Sequence, residues 1–347
     1  MTASIHDRKS LAAVTRRLKL DPHPLRRFKT RFLKQGRPAF EALAELPEPL
    51  REPFAAGVEF HPLTLNTALD SRVDGATKLL FNTRNGNPLE AVILRIATGR
   101  TTLCVSSQSG CAAACAFCAT GTMGLKQNLS TAEILDQVVQ ARQRLAPENR
   151  TIRNLVFMGM GEPFHNESNV LAALDELSAP GGFGFDPGRL LVSTVGVPEA
   201  MVRLARSRPK VRLALSLHSA RPDVRRRIMP LAERHSLADL RAALEEVVGL
   251  QGKEAMIEYL LLAGVNDQPE DLTALTDYLA GLKVHINLIP YNATGGSLAG
   301  TDKADRERFA KALREAGLKV TLRYSLGSDI AAACGQLAKQ KQAAKPS

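Results

Sequence analysis

From residue 101 onward the chain alternates apolar, β-branched runs with amphipathic stretches, and this rhythm restricts the fold more than any other feature. The runs fall at 101–106, 154–160, 190–195, 211–217, 255–262 and 284–290, and helical patterns fill the gaps at about 130–146, 168–178, 198–206, 236–249, 269–281 and 303–316. Ser130-Thr131-Ala132-Glu133 opens the first of these helices with the signature of a capping box. Val320-Thr321-Leu322-Arg323 reads as one more strand. Six strand–helix units with short connections predict an α/β fold with a parallel sheet, either doubly wound or rolled into a partial barrel. In such folds the ligand site gathers at the carboxyl ends of the strands.

The segment before residue 101 has a different texture. Residues 8–60 read as short helices broken by Asp21-Pro22-His23-Pro24, Gly36-Arg37-Pro38 and Pro47-Glu48-Pro49. Lys78-Leu79-Leu80-Phe81 and Leu89-Glu90-Ala91-Val92-Ile93-Leu94 then flank Asn85-Gly86-Asn87, a hairpin turn signal. The expected organisation is a basic helical accessory domain at 1–75, a β-hairpin linker at 76–100, a catalytic core at 101–338 and a polar tail at 339–347. Between Arg8 and Arg37 lie eleven Lys/Arg residues and one acid, Asp21, in a chain of net charge +11. Such a surface draws polyanions, RNA among them, although an ordinary solvated helix face has the same composition. Tryptophan is absent and aromatics make up 5%, so base recognition is expected in one pocket rather than on a stacking platform. No run of eighteen apolar residues predicts a membrane span, and the N-terminus lacks the apolar stretch of a signal peptide. Five cysteines, three of them clustered, argue against a secreted disulfide scaffold and for the cytoplasm.

The three clustered cysteines follow the first strand: Cys111, Cys115 and Cys118 form a CxxxCxxC triplet. Thiolates hold iron–sulfur clusters, and a four-iron cube takes four of them. Three ligands leave one iron open to bind something else. A structural zinc knuckle is the competing reading, but it needs a fourth Cys or His at suitable spacing, and none lies near. Gly159-Met160-Gly161-Glu162-Pro163 follows the second strand, where glycines permit close approach and strand-end carbonyls accept bonds from an ammonium group. Ser193 lies near the end of the third strand, Ser216-Leu217-His218 ends the fourth, and Asn292 follows the sixth. All of these face one mouth. Arg225-Arg226-Arg227 reads either as a solvated face or as a phosphate clamp. Cys104 and Cys334 stand apart from the triplet, and inert buried thiols would look the same.

The triplet, with Phe117 just before its last cysteine, resembles the signature of the radical S-adenosylmethionine (SAM) superfamily. The resemblance narrows over Thr102-Leu103-Cys104-Val105-Ser106-Ser107-Gln108-Ser109-Gly110-Cys111, Cys118-Ala119-Thr120-Gly121, the run from Gly159 to Pro163, Ser216-Leu217-His218, Ile289-Pro290-Tyr291-Asn292 and Gly327-Ser328-Asp329-Ile330-Ala331-Ala332-Ala333-Cys334-Gly335-Gln336-Leu337. These segments, in this order from about residue 78 to 338, are similar to the RlmN/Cfr family of radical SAM rRNA adenine methyltransferases. The resemblance implies a partial (β/α)6 radical SAM barrel with a small N-terminal helical accessory domain.

It also implies a chemistry. A [4Fe–4S] cluster on Cys111, Cys115 and Cys118 would bind SAM, with two SAM consumed per turnover, and Gly161, Glu162, Ser193, Ser216, Leu217, His218 and Asn292 would line the SAM site. The target carbon of adenine is too electron-poor to attack a methyl sulfonium, so a thiolate does so instead. Cys334 would take the methyl, a radical made from the second SAM would activate it, and the resulting adduct with RNA would be resolved by a disulfide with Cys104. Glu90 matches the family's proton acceptor, although the stretch from Glu90 to Cys104 runs one residue longer than the common pattern. The implied partners are 23S rRNA, tRNA as a second substrate, and an electron donor such as flavodoxin or ferredoxin, with the enzyme a monomer. Where RlmN-type members have Gly-Asp-Asp before Ile, this chain has Gly327-Ser328-Asp329, a form similar to the Cfr branch. Methylation at C2 is favoured, with Cfr-type C8 methylation as the alternative. A radical SAM enzyme with a non-RNA substrate, or a non-catalytic RNA-binding protein with a structural metal, are the further rivals.

Overall fold

The computed structural model describes residues 2–338; the tail expected at 339–347 lies outside the described residues. Strand β1 (Ala3–Ser4) pairs in parallel with β2 (Val58–Glu59) and ties the two ends of a helical segment together. Between them run the helices Arg8–Arg17, Pro22–Lys29, Ala39–Leu43 and Glu48–Gly57, the first two capped by Asp7 and Asp21. Phe28, Phe32 and Phe54 are fully buried and gather around Phe60, Phe32 edge-on to it and Phe28 and Phe54 tilted.

The apolar residues of this segment join one continuous core with those of the main sheet. Two polar anchors sharpen the junction, both from the helix Thr131–Leu145. Arg142 lies over the rings of Phe183 and Phe185, at 5.4 and 4.7 Å, and donates to the Leu33 carbonyl. Asp136, wholly buried, accepts from His61 Nδ1 at 2.7 Å, Leu63 N–H at 3.0 Å and Gln140 Nε2 at 2.9 Å. Burial alone would raise the Asp136 pKa, but the imidazoles of His6 and His61 outweigh it and hold the carboxyl below its ordinary range. A buried donor left unpaired costs about 1–3 kcal/mol, whereas an exposed ion pair contributes about 0–1. Asp136 with its donors therefore secures the junction far more than the exposed Arg8–Glu176 pair beside it.

The remaining strands build one large sheet and one small ribbon. In chain order they are β3 (Thr64–Asp70), β4 (Ala76–Asn82), β5 (Pro88–Arg95), β6 (Thr101–Cys104), β7 (Gln108–Gly110), β8 (Leu125–Asn128), β9 (Asn154–Phe157), β10 (Leu190–Thr194), β11 (Arg212–Ser216), β12 (Ala255–Leu261), β13 (Val284–Pro290) and β14 (Lys319–Leu322). The large sheet has ten strands in the order β14-β13-β12-β11-β10-β9-β6-β5-β4-β3. From β6 to β14 every pairing is parallel, and each strand lies beside its predecessor in the sheet. A monotonic order of this kind keeps the crossover helices on one face, so the sheet is singly wound and curls into a partial barrel rather than forming a doubly wound layer. Leu103, Leu155, Val192, Leu213, Ile257 and Ile286 point outward into the helices. The alternate residues face inward: Cys104, Val156 and Met158 pack with Ala332 and Leu337 of the C-terminal loop instead.

The hairpin around Asn85-Gly86-Asn87 forms as expected, with Asn82 opposite Pro88, and β5 continues antiparallel onto β6. Strand β3 is not legible in the sequence. It is a largely exposed edge with a register shift between Leu65 and Thr67, so its apolar alternation is lost. The β7–β8 ribbon escapes a sequence reading for a related reason. Its two short strands pair across the cysteine loop rather than in the main sheet. Among the described residues no helix is long and apolar enough to cross a membrane.

Candidate active site

The β7–β8 ribbon closes the neck of a loop, 111–124, that carries the three cysteines. At the neck Gly110 has φ +76°, and a Cβ there would sit 1.9 Å from the Gly124 carbonyl oxygen, so only glycine fits. Within the loop, Cys118 N–H donates to the Cys115 carbonyl at 3.1 Å, and Ala116 N–H donates to the Ile228 carbonyl at 3.0 Å. Cys111, Cys115, Phe117 and Cys118 share a small apolar cluster with Ile228, Met229, Leu260 and Leu262.

Cys111 feels the charge of Cys118 and Glu162, and Cys115 that of Cys118, Cys111 and Glu162. Burial pushes Cys111 up to about 11 and Cys115 higher still, against a small opposing pull on Cys115 from Arg225. Cys111 and Cys115, which resist ionisation in these apolar surroundings, are stable as thiolates only when a cation compensates them. No group of three or more His, Cys, Asp or Glu side chains among the described residues is arranged to hold a metal ion directly. A polynuclear cluster spreads its charge over several irons and reaches cysteines further apart, so the donor set fits a cluster with three thiolate ligands.

The expected SAM-site residues converge on the same mouth, with roles the sequence did not reveal. Gly159 and Gly161 pack closely against the segment that follows β6 and opens β7. A Cβ on Gly159 would lie 2.5 Å from Ser106 Oγ, and one on Gly161 2.5 Å from Gln108 Cβ. The Glu162 carboxylate is committed to protein, accepting from Phe164 N–H at 3.0 Å, Thr194 Oγ1 at 2.7 Å and Val195 N–H at 2.8 Å. Burial raises it to about 6 against those bonds. It pins the loop after β9 to the loop after β10. Ser193 and Ser216 sit side by side at the ends of β10 and β11, with hydroxyls 3.4 Å apart. Leu217 is buried, and its N–H donates to the Glu258 carbonyl at 3.1 Å. Asn292 donates to the Cys334 carbonyl at 3.1 Å.

His218 is buried, held at φ +57° and packed edge-on against Phe117 with ring centroids 4.8 Å apart. Burial, with Arg225, pushes its pKa down to about 3, so it is neutral. Its Nδ1 accepts the Leu260 N–H at 3.0 Å, which assigns the proton to Nε2.

Two supporting residues escaped the sequence reading. Arg225 is neither a solvated face nor a phosphate clamp: it is buried and donates to the carbonyls of Leu217 at 3.2 Å and Val195 at 2.7 Å. Its two neighbours, Arg226 and Arg227, remain exposed. The signal was present in the helix Pro222–Ile228, where Val224 and Ile228 mark the inner face and Arg225 adjoins it. Asn266, fully buried, bridges the carbonyls of His218 and Leu260, both at 2.6 Å, and accepts from Leu262 N–H. Nothing in its local sequence distinguishes it from a loop asparagine.

Above the cysteine loop lies the C-terminal loop. Ala119 N–H donates to the Gly335 carbonyl at 2.8 Å and Thr120 Oγ1 to the Leu337 carbonyl at 3.0 Å. Cys334 is open to solvent yet set deep in the mouth, close enough to feel the charges of Cys118, Glu258 and Arg323. Crowding raises its pKa and Arg323 opposes this. Cys104, on the inner face of β6, is buried, and its pKa is raised by burial and by the nearby Cys334. Both are free thiols. Glu90 on β5 is buried as well, its pKa raised by burial against Lys78.

A curled parallel sheet whose first strand leads into a three-cysteine loop, with strand-end groups facing it, defines the radical SAM class. The Radical SAM superfamily pattern matches residues 105–276. The chain is 52% identical over 333 residues to a probable RNA methyltransferase of Rhodopirellula baltica, covering 95% of this chain and 86% of that protein. It is 42% identical to the dual-specificity RNA methyltransferase RlmN of Anaeromyxobacter dehalogenans, covering 88% and 83%. A radical SAM methyltransferase from Sphaerobacter thermophilus superposes with a TM-score of 0.92 at 37% identity, over 97% of this chain and 100% of that one. This chain belongs to the RlmN-like family of radical SAM methyltransferases, and with the family come an iron–sulfur cluster and SAM.

Proposed function

We propose that the protein methylates an adenosine of 23S rRNA at C2, with tRNA as a second substrate, through a methyl group carried on Cys334. The observation that carries this reading is the placement of Cys334. It rides on a loop bonded to the cysteine loop below, within electrostatic reach of Cys104 and Cys118. A radical SAM enzyme with no covalent carrier has no need of that pair.

Cys111, Cys115 and Cys118 would hold the cluster, here taken as [4Fe–4S], with Arg225 balancing their charge. Bound there, the cluster and SAM supply one-electron chemistry and a hydrogen-abstracting radical. The protein's own residues do the rest. Cys334 accepts the methyl and delivers its carbon to the base, and Glu90 receives the ring proton. The Cys104 thiolate then attacks the Cys334 sulfur, so that the S–S bond forms as the S–C bond breaks and the carbon leaves with the electron pair and takes up a proton as the product methyl. Arg323 favours the Cys334 thiolate needed in the first step. The reading further includes two SAM per turnover, a flavodoxin- or ferredoxin-type electron donor, action as a monomer and a cytoplasmic setting.

Ser328, the residue similar to the Cfr branch, does not redirect the proposal to C8. It is exposed, whereas the adjacent Asp329 provides the anchor, accepting from Ser71 Oγ at 2.8 Å and Arg72 N–H at 2.9 Å. Mass spectrometry of rRNA and tRNA nucleosides from a deletion strain, with and without the gene restored, tests the whole reading. Gene-dependent 2-methyladenosine is expected; 8-methyladenosine would move the chemistry to C8, and no change in either would reject an RNA substrate of this kind.

The N-terminal helices would supply the electrostatic grip on RNA. Arg8, Arg27, Arg31 and Arg37 already face acids. Among the described residues Arg16, Arg17 and Arg26 are exposed with no acid within ion-pair reach. Reversing these three to Glu should weaken RNA binding and flatten its dependence on log salt by roughly two units, at about 0.7 for each phosphate no longer neutralised. Filter binding at several salt concentrations checks this, and an unchanged slope would reduce the stretch to a solvated face.

A further inference from the structure

Lys78 on β4 and Glu90 on β5 lie diagonally across the antiparallel pair, on the inner face of the sheet, with Lys78 Nζ 3.6 Å from Glu90 Oε2. Both side chains are almost entirely buried, at 4% and 10% exposure. Each also holds one end of the loop that carries Cys334. Lys78 Nζ donates to the Ala331 carbonyl at 3.2 Å, and Glu90 Oε2 accepts from the Ala338 N–H at 3.1 Å. Ala331 and Ala338 have φ of +52° and +75°, a region that alanine disfavours and that persists only where the surroundings impose it. Beneath the loop, Cys104 packs with Ala332 and Leu337, with Ala338 beside them.

We infer that Lys78 is a positioning residue, and that the Lys78–Glu90 pair is a proton-operated clasp on the Cys334 loop. The clasp is closed while Glu90 is a carboxylate and slack once Glu90 is protonated. The inference rests on the proposed role of Glu90 as proton acceptor. A proton leaving the ring carbon of the base arrives on Glu90, Lys78 remains an ammonium, and no electrons change hands. A neutral acid loses the charge that makes its bonds to Lys78 and Ala338 strong. The loop is thus held while Cys334 delivers its carbon, and freed when Cys104 must reach the Cys334 sulfur. The groups facing Glu90 are Lys78 from β4, the Cys104 thiol as its diagonal neighbour on β6, and the Ala338 amide from the loop. Of these only Lys78 carries a charge at neutral pH.

Alkylation of the buried Cys104 by iodoacetamide reports on opening of the loop, with the exposed Cys334 as internal reference. The full-length protein is purified anaerobically, no RNA or SAM is added, and each cysteine peptide is followed by mass spectrometry. Glu90→Gln, an uncharged likeness of the protonated acid, and Lys78→Met should each expose Cys104 roughly tenfold faster than the parent, the scale of losing one charge-assisted hydrogen bond. Lys78→Arg, which keeps the charge, should stay near the parent. As pH falls and Glu90 in the parent becomes protonated, its clasp slackens, so the ratio of Glu90→Gln to parent rates should fall toward one. A purely structural role leaves that ratio constant. Parent-like Cys104 protection in both Glu90→Gln and Lys78→Met, or a ratio independent of pH, overturns the clasp. The proton-acceptor role is judged separately, since it falls if Glu90→Gln methylates RNA at the parent rate, and with it falls the proton as trigger.

Discussion

Cys104→Ala should accumulate protein covalently joined to RNA through Cys334, visible as a slow band on a denaturing gel that collapses with ribonuclease. Methyl transfer to Cys334 and carbon delivery to the base both precede the step assigned to Cys104, so neither is blocked. Cys334→Ala should yield neither methylated protein nor adduct. Both variants should lose turnover by on the order of 10⁴-fold or more, the scale for removal of a covalent nucleophile. They are equally inactive but opposite on the gel. The geometry behind this is the pairing of a buried thiol on the inner face of β6 with a solvent-open thiol on the loop above it. Free protein with released product from Cys104→Ala would remove Cys104 from the reaction, and near-normal turnover of both would make them inert thiols.

Cys115→Ala should abolish the cluster while leaving the sheet intact. The parent, purified anaerobically, should hold about four irons per chain and the absorbance of a [4Fe–4S] cluster; the variant should hold essentially none. The fold survives because Cys115 packs in a small cluster with Ile228, Met229, Leu260 and Leu262, apart from the main core. Circular dichroism and thermal unfolding should therefore stay close to those of iron-free parent protein. Four irons retained in the variant would remove Cys115 from the ligand set.

Most of the architecture could be read from the sequence, because each strand of the parallel sheet from β6 to β13 is a short apolar run between amphipathic helices, a pattern with one economical solution. What could not be read depended on tertiary context. Strand β3 alternates poorly because it is an exposed edge. Glu162 reads as a carboxylate offered to a ligand, yet its oxygens are taken by Thr194, Val195 and Phe164. Arg225 sits in a run of three arginines, and only packing distinguishes the buried one. Lys78 is one lysine in a hairpin strand until the C-terminal loop folds over it. Composition and spacing record which groups are present, while tertiary pairing, across more than 200 residues at Lys78 and Glu90, decides which are already satisfied.

The seam of the open sheet has a consequence for how the molecule reaches its native state. Strands β14 and β3 are the two edges, and no strand pairing joins them among the described residues. The C-terminal loop spans this gap, through Ser71–Asp329, Asp74–Gly327, Lys78–Ala331 and Glu90–Ala338 hydrogen bonds separated by 258, 253, 253 and 248 residues. Pairings with such separations carry the largest loop-closure cost and form late. Cys334 would thus reach its place only after the sheet beneath it is complete. A nascent or partly folded chain would then keep the Cys334 thiol, the proposed methyl carrier, away from Cys104, protected from premature oxidation by the order of folding itself.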